Sequence, residues 1–455
     1  MIQMMSALSQ YIDLYRNHRD AFHTGAPQVM NDLRGVALSR LEVASLPRKG
    51  SEDYEATDLS SVLADDFGVN VNRRDFDADV AQAFRCDVPN MSTNLYFCLN
   101  DRYHPSRTAL LHDQGGVVVE TFRQAAHKHP QLLAGHYGRL AGLDNPTVAL
   151  NTLLAQDGLL VYIPDGVTAE RPIQLVNILT AAMPIMAVRR LLIVVGREAH
   201  AKMLVCDHSQ LTTTQALALQ VVEIVAMENS TFDYYDLEES MATNRRISSL
   251  FVDQRAGSNV LVDGITLTNG FTRNNYRIEV NGEHADTQLM GMTVASGRQH
   301  VDTHTFIAHN APRCHSNEMF KYVLNDEAVG AFAGRILVRP GCPRVEAYQG
   351  NRNLCASPEA RMYTKPQLEI YTDDVKCSHG TTIGQLDEEA LFYMRSRGIG
   401  IDVARTMLMQ AFMSDVIDAV RMDLLRDRLR HLVEKRFNGS LASCANCVSS
   451  CKTPN

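Results

Sequence analysis

"RRISSLFVDQRAGSNVLVDGITLTNGFTRNNYRIEVNGEHADTQLMGMTVASG", residues 245–297, is a succession of short runs rich in Val, Ile, Leu, Tyr and Thr. Gly, Asn, Asp or Ser closes each run. β-Branched and aromatic side chains suit an extended, half-buried backbone, and the small polar residues suit tight turns. Such runs at fairly even spacing read as strands of one β domain. The texture extends back through "DGLLVYIPDGV", "RRLLIVVGREAHAKMLVCDHS" and "ALALQVVEIVAMENSTFDYYDLEES", and forward through "HVDTHTFIAHN", "VGAFAGRILVRPG" and "PQLEIYTDDVKCSHG". A domain of this length is a large sandwich, a barrel or a parallel solenoid. No strict repeat length is readable, so periodicity does not choose among them.

The flanks read differently. Residues 6–18 place Leu8, Tyr11, Ile12, Leu14 and Tyr15 close to a 3.6-residue period, and a second helix is expected from Pro27 to about Val43. Between Val69 and Pro146 the pattern is mixed, with "GGVVVETF" as a strand. After the β texture, Asp387 is an N-cap ahead of Glu388 and Glu389, and Gly398 ends that helix. Apolar residues from Ala404 to Leu432 then recur at helical spacing. The expected division is a mainly helical region 1–150, a β core 151–386, a helical region 387–437 and a cysteine-containing tail 438–455.

The chain has 455 residues, 45% apolar and 21% charged, with a formal net charge of -8. This is ordinary for a soluble globular protein. No block of Lys and Arg offers a nucleic-acid surface, and no apolar run approaches membrane-spanning length. The N-terminus lacks the pattern of a signal peptide. Of ten cysteines only Cys444, Cys447 and Cys451 cluster, which is no secreted disulfide framework; a reducing cytoplasm is expected.

Common catalytic signatures are missing. There is no Gly-Lys pair, hence no P-loop, and no G-x-S-x-G, H-E-x-x-H or G-x-G-x-x-G. Chemistry-bearing residues gather late in the β domain. Cys377 and His379 in "DDVKCSHG" are two apart, so on a strand they share a face while Lys376 and Ser378 take the other. Thiolate and imidazole are soft ligands for iron, zinc or copper. The alternatives are a nucleophile with its base, which needs a third orienting group that the sequence does not supply, and two packed residues without chemistry. Cys206, Cys314, Cys342 and Cys355 read as small hydrophobes. A lyase on a β-solenoid would need carboxylates gathered for calcium, and they do not gather here. "CANCVSSC" carries Cys444, Cys447 and Cys451 at chelating spacing, one ligand short of a four-ligand site.

Taken together, "FKYVLNDEAVGAFAGRILV", "AYQGNRNL" and "TKPQLEIYTDDVKCSHGTTIGQLDEEALFYMRSRGI", with weaker support from "ALNTLLAQDGLLVYIPDGV" and "SEDYEATDL", resemble the SufB/SufD family of iron–sulfur cluster assembly proteins. The stretch "DDVKCSHGTTIGQLDEE" is similar to the SufD side of that family. The resemblance implies a mainly β fold, with a right-handed parallel β-helix core between N-terminal and C-terminal helical regions. It implies a scaffold without catalysis of its own, working in a SufBCD complex with a SufB-like paralogue and a SufC-like ATPase docked on the C-terminal helices. It also allows a homodimer when the chain is alone. His379, with Cys377 beside it, is then the expected ligand for a transient iron–sulfur cluster shared with the partner subunit. Two other readings stay open: a self-contained enzyme using Cys377 and His379, and a structural β-helix adaptor.

Overall fold

The structure, a computed structural model, describes residues 7–75, 93–104, 116–180, 182–209 and 214–437. Its centre is a flattened parallel solenoid. Successive strands alternate between a ten-stranded and a nine-stranded sheet, so each strand pairs with the one two places along the chain. Pairing is parallel throughout, except where Asn94–Leu99 meets Arg102–His104 and Val118–Thr121 meets Leu159–Ile163 at the N-terminal end. Asn94–Leu99 also pairs parallel with Ile173–Leu179, which ties the early chain into the solenoid. The β texture in the sequence is therefore a solenoid, and neither a sandwich nor a barrel.

The missing repeat has a physical explanation. His200, Thr231, Asn259, Asp286, His315, Glu346 and Lys376 stack in one column of the ten-stranded sheet, in steps of 31, 28, 27, 29, 31 and 30 residues. The corner before the strand is conserved in conformation and not in residue type. Glu198, Asn229, Gly257, His284, Arg313 and Arg344 each lie two residues before a member of that column, and all have φ between 56° and 67°. Five of these six are non-glycine residues in the left-handed region, where a Cβ is sterically disfavoured. The repeated unit is thus a backbone turn with variable loop length, which leaves no motif in the letters.

Inward-facing residues of both sheets form one continuous core, including Val205, Val262, Leu289, Ile307, Tyr322 and Ile336. The N-terminal helices Ser9–Asn17 and Gln28–Val43 pack with Pro146–Leu154 against the outer face of the nine-stranded sheet. Arg34 locks this layer from a fully buried position, donating to the carbonyls of Leu153, Ala155 (2.6 Å) and Phe22 (3.3 Å). Glu223, on a strand of that sheet, accepts from the backbone N–H groups of Gly138 and Leu140 at 2.9 Å, and pairs with Arg190 at 2.8 Å.

At the other end, Asp387 caps Glu388–Ser396 by accepting from Glu389 N and Ala390 N. Gly398 follows at φ 86°, the left-handed stop expected of it. Ile401–Asp418 and Asp423–Phe437 then lie on the outer face of the ten-stranded sheet. Leu425, Leu429, Leu432 and Val433 recur at helical spacing and are buried there, each contributing about 1.5–3 kcal/mol of apolar burial. No helix among the described residues is long and apolar enough to cross a membrane.

Candidate functional site at the uncapped end of the solenoid

The last strand, Val375–Gly384, is the edge of the ten-stranded sheet, and Arg361–Ile370 is the edge of the nine-stranded one. Of the ten residues in Val375–Gly384, only Val375 and Cys377 are even half-buried. Among the described residues, the final coil therefore leaves a row of backbone donors and acceptors without a neighbouring strand. Proline is tolerated at such an edge, and Pro366 occupies one. Ile370, Tyr371 and Ile383 are exposed around the same end.

Strand register fixes what this end presents. Cys377 pairs with Ala347 and His379 with Gln349, while Ser378 pairs with Tyr348. Ala347 and Gln349 are buried in the lumen, so Cys377 and His379 share the lumenal face, as alternation requires. Lys376 takes the outer face and pairs with Glu346 at 2.7 Å. Beyond His379, Thr381 Oγ1 lies 2.9 Å from Thr364 Oγ1 of the opposite sheet.

The two residues differ in environment. Cys377 packs against the lumenal core, and burial pushes its thiol up, with a hydrogen bond from the Ala347 backbone acting the other way. A thiol kept protonated is a poor nucleophile. His379 is exposed at the mouth. An imidazole there is free to meet a ligand from outside the chain.

Other sequence candidates fall elsewhere. Cys206, Cys314 and Cys342 are buried and Cys355 half-buried, in keeping with small hydrophobes. Among the described residues no three His, Cys, Asp or Glu side chains form a metal-binding group. Cys444, Cys447 and Cys451 lie outside the described residues.

Sequence reading missed a cavity of about 390 Å³ at the edge. Gly350 and Gly380 line it, together with Glu318, Gln349 and His379. Adjacent glycines in register across two strands are its only signal in the sequence. Gln349 is one of the chemistry-bearing residues that gather late in the β domain, but its place beside His379 depends on a register that local patterning does not supply.

Residues 177–412 match the profile of the SufBD core domain of the SUF system for FeS cluster assembly, and residues 5–175 match that of the SufBD protein N-terminal region. An iron–sulfur cluster assembly SufBD family protein of Synechocystis is 29% identical over 90% of this chain and 91% of its own length. The iron–sulfur cluster assembly protein SufD of Escherichia coli is 35% identical over 37% of this chain and 40% of its own. SufD of Bacillus subtilis is 25% identical over 77% of this chain and 80% of its own.

Proposed function

Because the chain belongs to the SufB/SufD family of iron–sulfur cluster assembly proteins, we propose that it is a SufD-type scaffold subunit, without catalysis of its own. It pairs with a SufB-like paralogue and a SufC-like ATPase in the cytoplasm. The observation that carries this reading is the uncapped end of the solenoid, where an edge strand and an exposed imidazole occur together.

An unpaired edge with exposed apolar residues is suited to strand addition by a second solenoid. Such pairing would bring His379 to the seam. There it supplies a nitrogen ligand to a nascent cluster whose remaining ligands come from the paralogue, with Cys377 as a packed neighbour. The cluster is cargo, held transiently and passed on. The raised Cys377 thiol disfavours a self-contained nucleophilic enzyme.

The ATPase finds a separate surface. Phe392, Tyr393, Ile401, Val403 and Met407 are exposed on the first two C-terminal helices. An apolar patch of this kind on a helical region, here 387–437, is a docking face for a partner. Since the same helices rest on the solenoid, movement of a bound ATPase would pull on the strands leading to the edge.

Co-expression with the two partners should give a stable complex that forms clusters anaerobically. His379→Ala should leave the complex intact and reduce cluster content severely. Undiminished iron and sulfide in the variant complex would show that His379 is not a ligand.

A further inference from the structure

Behind His379 the lumen contains two facing columns, one from each sheet. Register stacks Glu318, Gln349 and His379 on successive coils of the ten-stranded sheet. It stacks Thr305, Gly334 and Pro366 on the nine-stranded sheet. Glu318 is completely buried and Gln349 is 3% exposed.

These groups form an ordered polar chain within the lumen. Thr305 Oγ1 donates to Glu318 Oε1 at 2.5 Å, and Gln349 Nε2 donates to Glu318 Oε2 at 2.9 Å. Gly334 makes the space for it, since a Cβ there would come within 2.5 Å of Gln349 Nε2 and 2.7 Å of Phe332 Cζ. The amide is therefore held in one sense, its nitrogen committed to the carboxyl group. A proton on Glu318 Oε1 would be shared with Thr305 and would leave Oε2 an acceptor. The ionised carboxyl and the form protonated on Oε1 both keep the amide nitrogen turned towards Glu318.

The consequence falls on the other end of the amide. Gln349 Oε1 is buried and has no hydrogen-bond partner among the described residues. Leaving such an acceptor unsatisfied costs about 1–3 kcal/mol. The next side chain in its column is that of His379, one strand spacing of about 4.8 Å away.

We propose that Gln349 is a positioning residue for His379: when the ring turns towards the lumen, making a contact it does not make in the structure, one imidazole N–H donates to Gln349 Oε1 and leaves the other ring nitrogen as the lone pair presented at the mouth. A neutral imidazole has one donor and one acceptor nitrogen, so fixing the donor fixes the tautomer. Histidines that bind metals are commonly oriented through their second nitrogen, and losing that contact costs about 10–100-fold in affinity. Glu318 and Thr305 act one step further back, by holding the amide in its sense. The inference rests on the reading of His379 as a cluster ligand.

The test uses the full-length chain labelled with nitrogen-15 in its histidine rings. His379 signals are identified by their loss in His379→Ala, and its tautomer is read from ring-nitrogen shifts at a pH where the ring is neutral. The expected result is one dominant tautomer in the wild type and a mixture in Gln349→Leu. Gln349→Met, unbranched and close in volume, gives the same comparison if the Leu variant does not fold. Cluster formation in the partner complex should fall about 10–100-fold in the same variant. Ring shifts identical in the wild type and in Gln349→Leu or Gln349→Met would overturn the proposal, and would leave the ligand reading standing if His379→Ala still abolished cluster formation. Cluster formation unaffected by His379→Ala would remove the ligand reading and the positioning role with it, whatever the ring shifts.

Discussion

Lys321 of the solenoid and Asp415 of the helix Ile401–Asp418 meet at 2.6 Å, and the same ammonium donates to the Phe412 carbonyl at 2.7 Å. The lysine side chain is 3% exposed and the aspartate 58%. One buried cation thus fastens the C-terminal helices to the sheet. Lys321→Met keeps the aliphatic stem and removes the charged contacts, at a cost of about 1.5–3 kcal/mol. Hydrogen exchange should quicken across Ile401–Asp418 and leave the solenoid strands unchanged. The Lys321 hydrogen bond, ahead of an opposing effect of burial, also holds the Asp415 carboxyl below its usual range. The contact is therefore fully in place above about pH 4, and weakens as pH falls through the lowered titration. Uniform exchange between wild type and variant would show that apolar packing and contacts such as Arg405 to the Ala356 carbonyl hold these helices without Lys321.

A second expectation concerns charge inside the lumen. Arg246 pairs with Asp207 at 2.8 Å, donates to Asp236 and lies 4.0 Å from Glu238. Arg189 joins Asp207 from the other side at 2.7 Å. Burial pushes Glu238 up to about 8, so near neutrality it is mostly protonated, and two guanidinium groups face two carboxylates. Arg246→Leu would leave Asp236 buried without its partner, a situation that costs about 3–5 kcal/mol. Urea denaturation should report a loss of that order. A loss under about 1 kcal/mol would mean that water or a shifted Arg189 replaces the lost cation.

The pH dependence of stability has a separate source in Asp263. It pairs in register with Tyr235 and Met290 beneath the C-terminal helices. Both its oxygens are buried without a hydrogen-bond partner among the described residues, and burial alone pushes it up to about 7. Because the folded carboxyl titrates above the unfolded one, the folded chain retains a proton that the unfolded chain releases between about pH 4 and 7. Stability is highest below that window, declines as pH rises through it and is level above. Asp263→Asn cannot titrate. The wild type should lose on the order of 4 kcal/mol relative to Asp263→Asn between pH 4 and 8. Parallel stability curves for the two proteins would exclude Asp263 as the source.

The fold and the site were legible to different depths. Alternation alone placed Cys377 and His379 on one face and Lys376 on the other, and the register bears this out. Asp387 and Gly398 marked the bounds of their helix because capping is a local interaction. The solenoid was not readable from spacing, since its corner is a backbone conformation adopted by Glu, Asn, Gly, His and Arg in turn. Arg246 was also opaque. Its partners Asp207 and Asp236 lie on other strands, and only coil stacking turns an unfavourable buried charge into a paired one. Nor does local patterning reveal that, among the described residues, no strand follows Val375–Gly384 in the sheet, although that leaves the shared strand face accessible.

The two proposed docking surfaces should be separable by mutation, because they occupy different parts of the fold. Ile383 lies on the edge strand and is 53% exposed, so Ile383→Lys introduces a charge without disturbing packed neighbours. Exposed substitutions of this kind change stability by only about 0.5 kcal/mol. At a strand-addition seam, however, the charge would have to be buried against the second solenoid, as charged edge residues do where they block unwanted pairing. Affinity for the SufB-like partner should fall more than about tenfold, since that needs only about 1.4 kcal/mol. Binding of the ATPase should be unchanged. Phe392→Ala on the C-terminal helix should do the reverse, weakening the ATPase contact and sparing the seam. Calorimetric titration of each variant with each partner checks both halves. If Ile383→Lys weakened both partners equally, the edge strand and the helices would form one composite surface, and the assignment of one partner to each would fail.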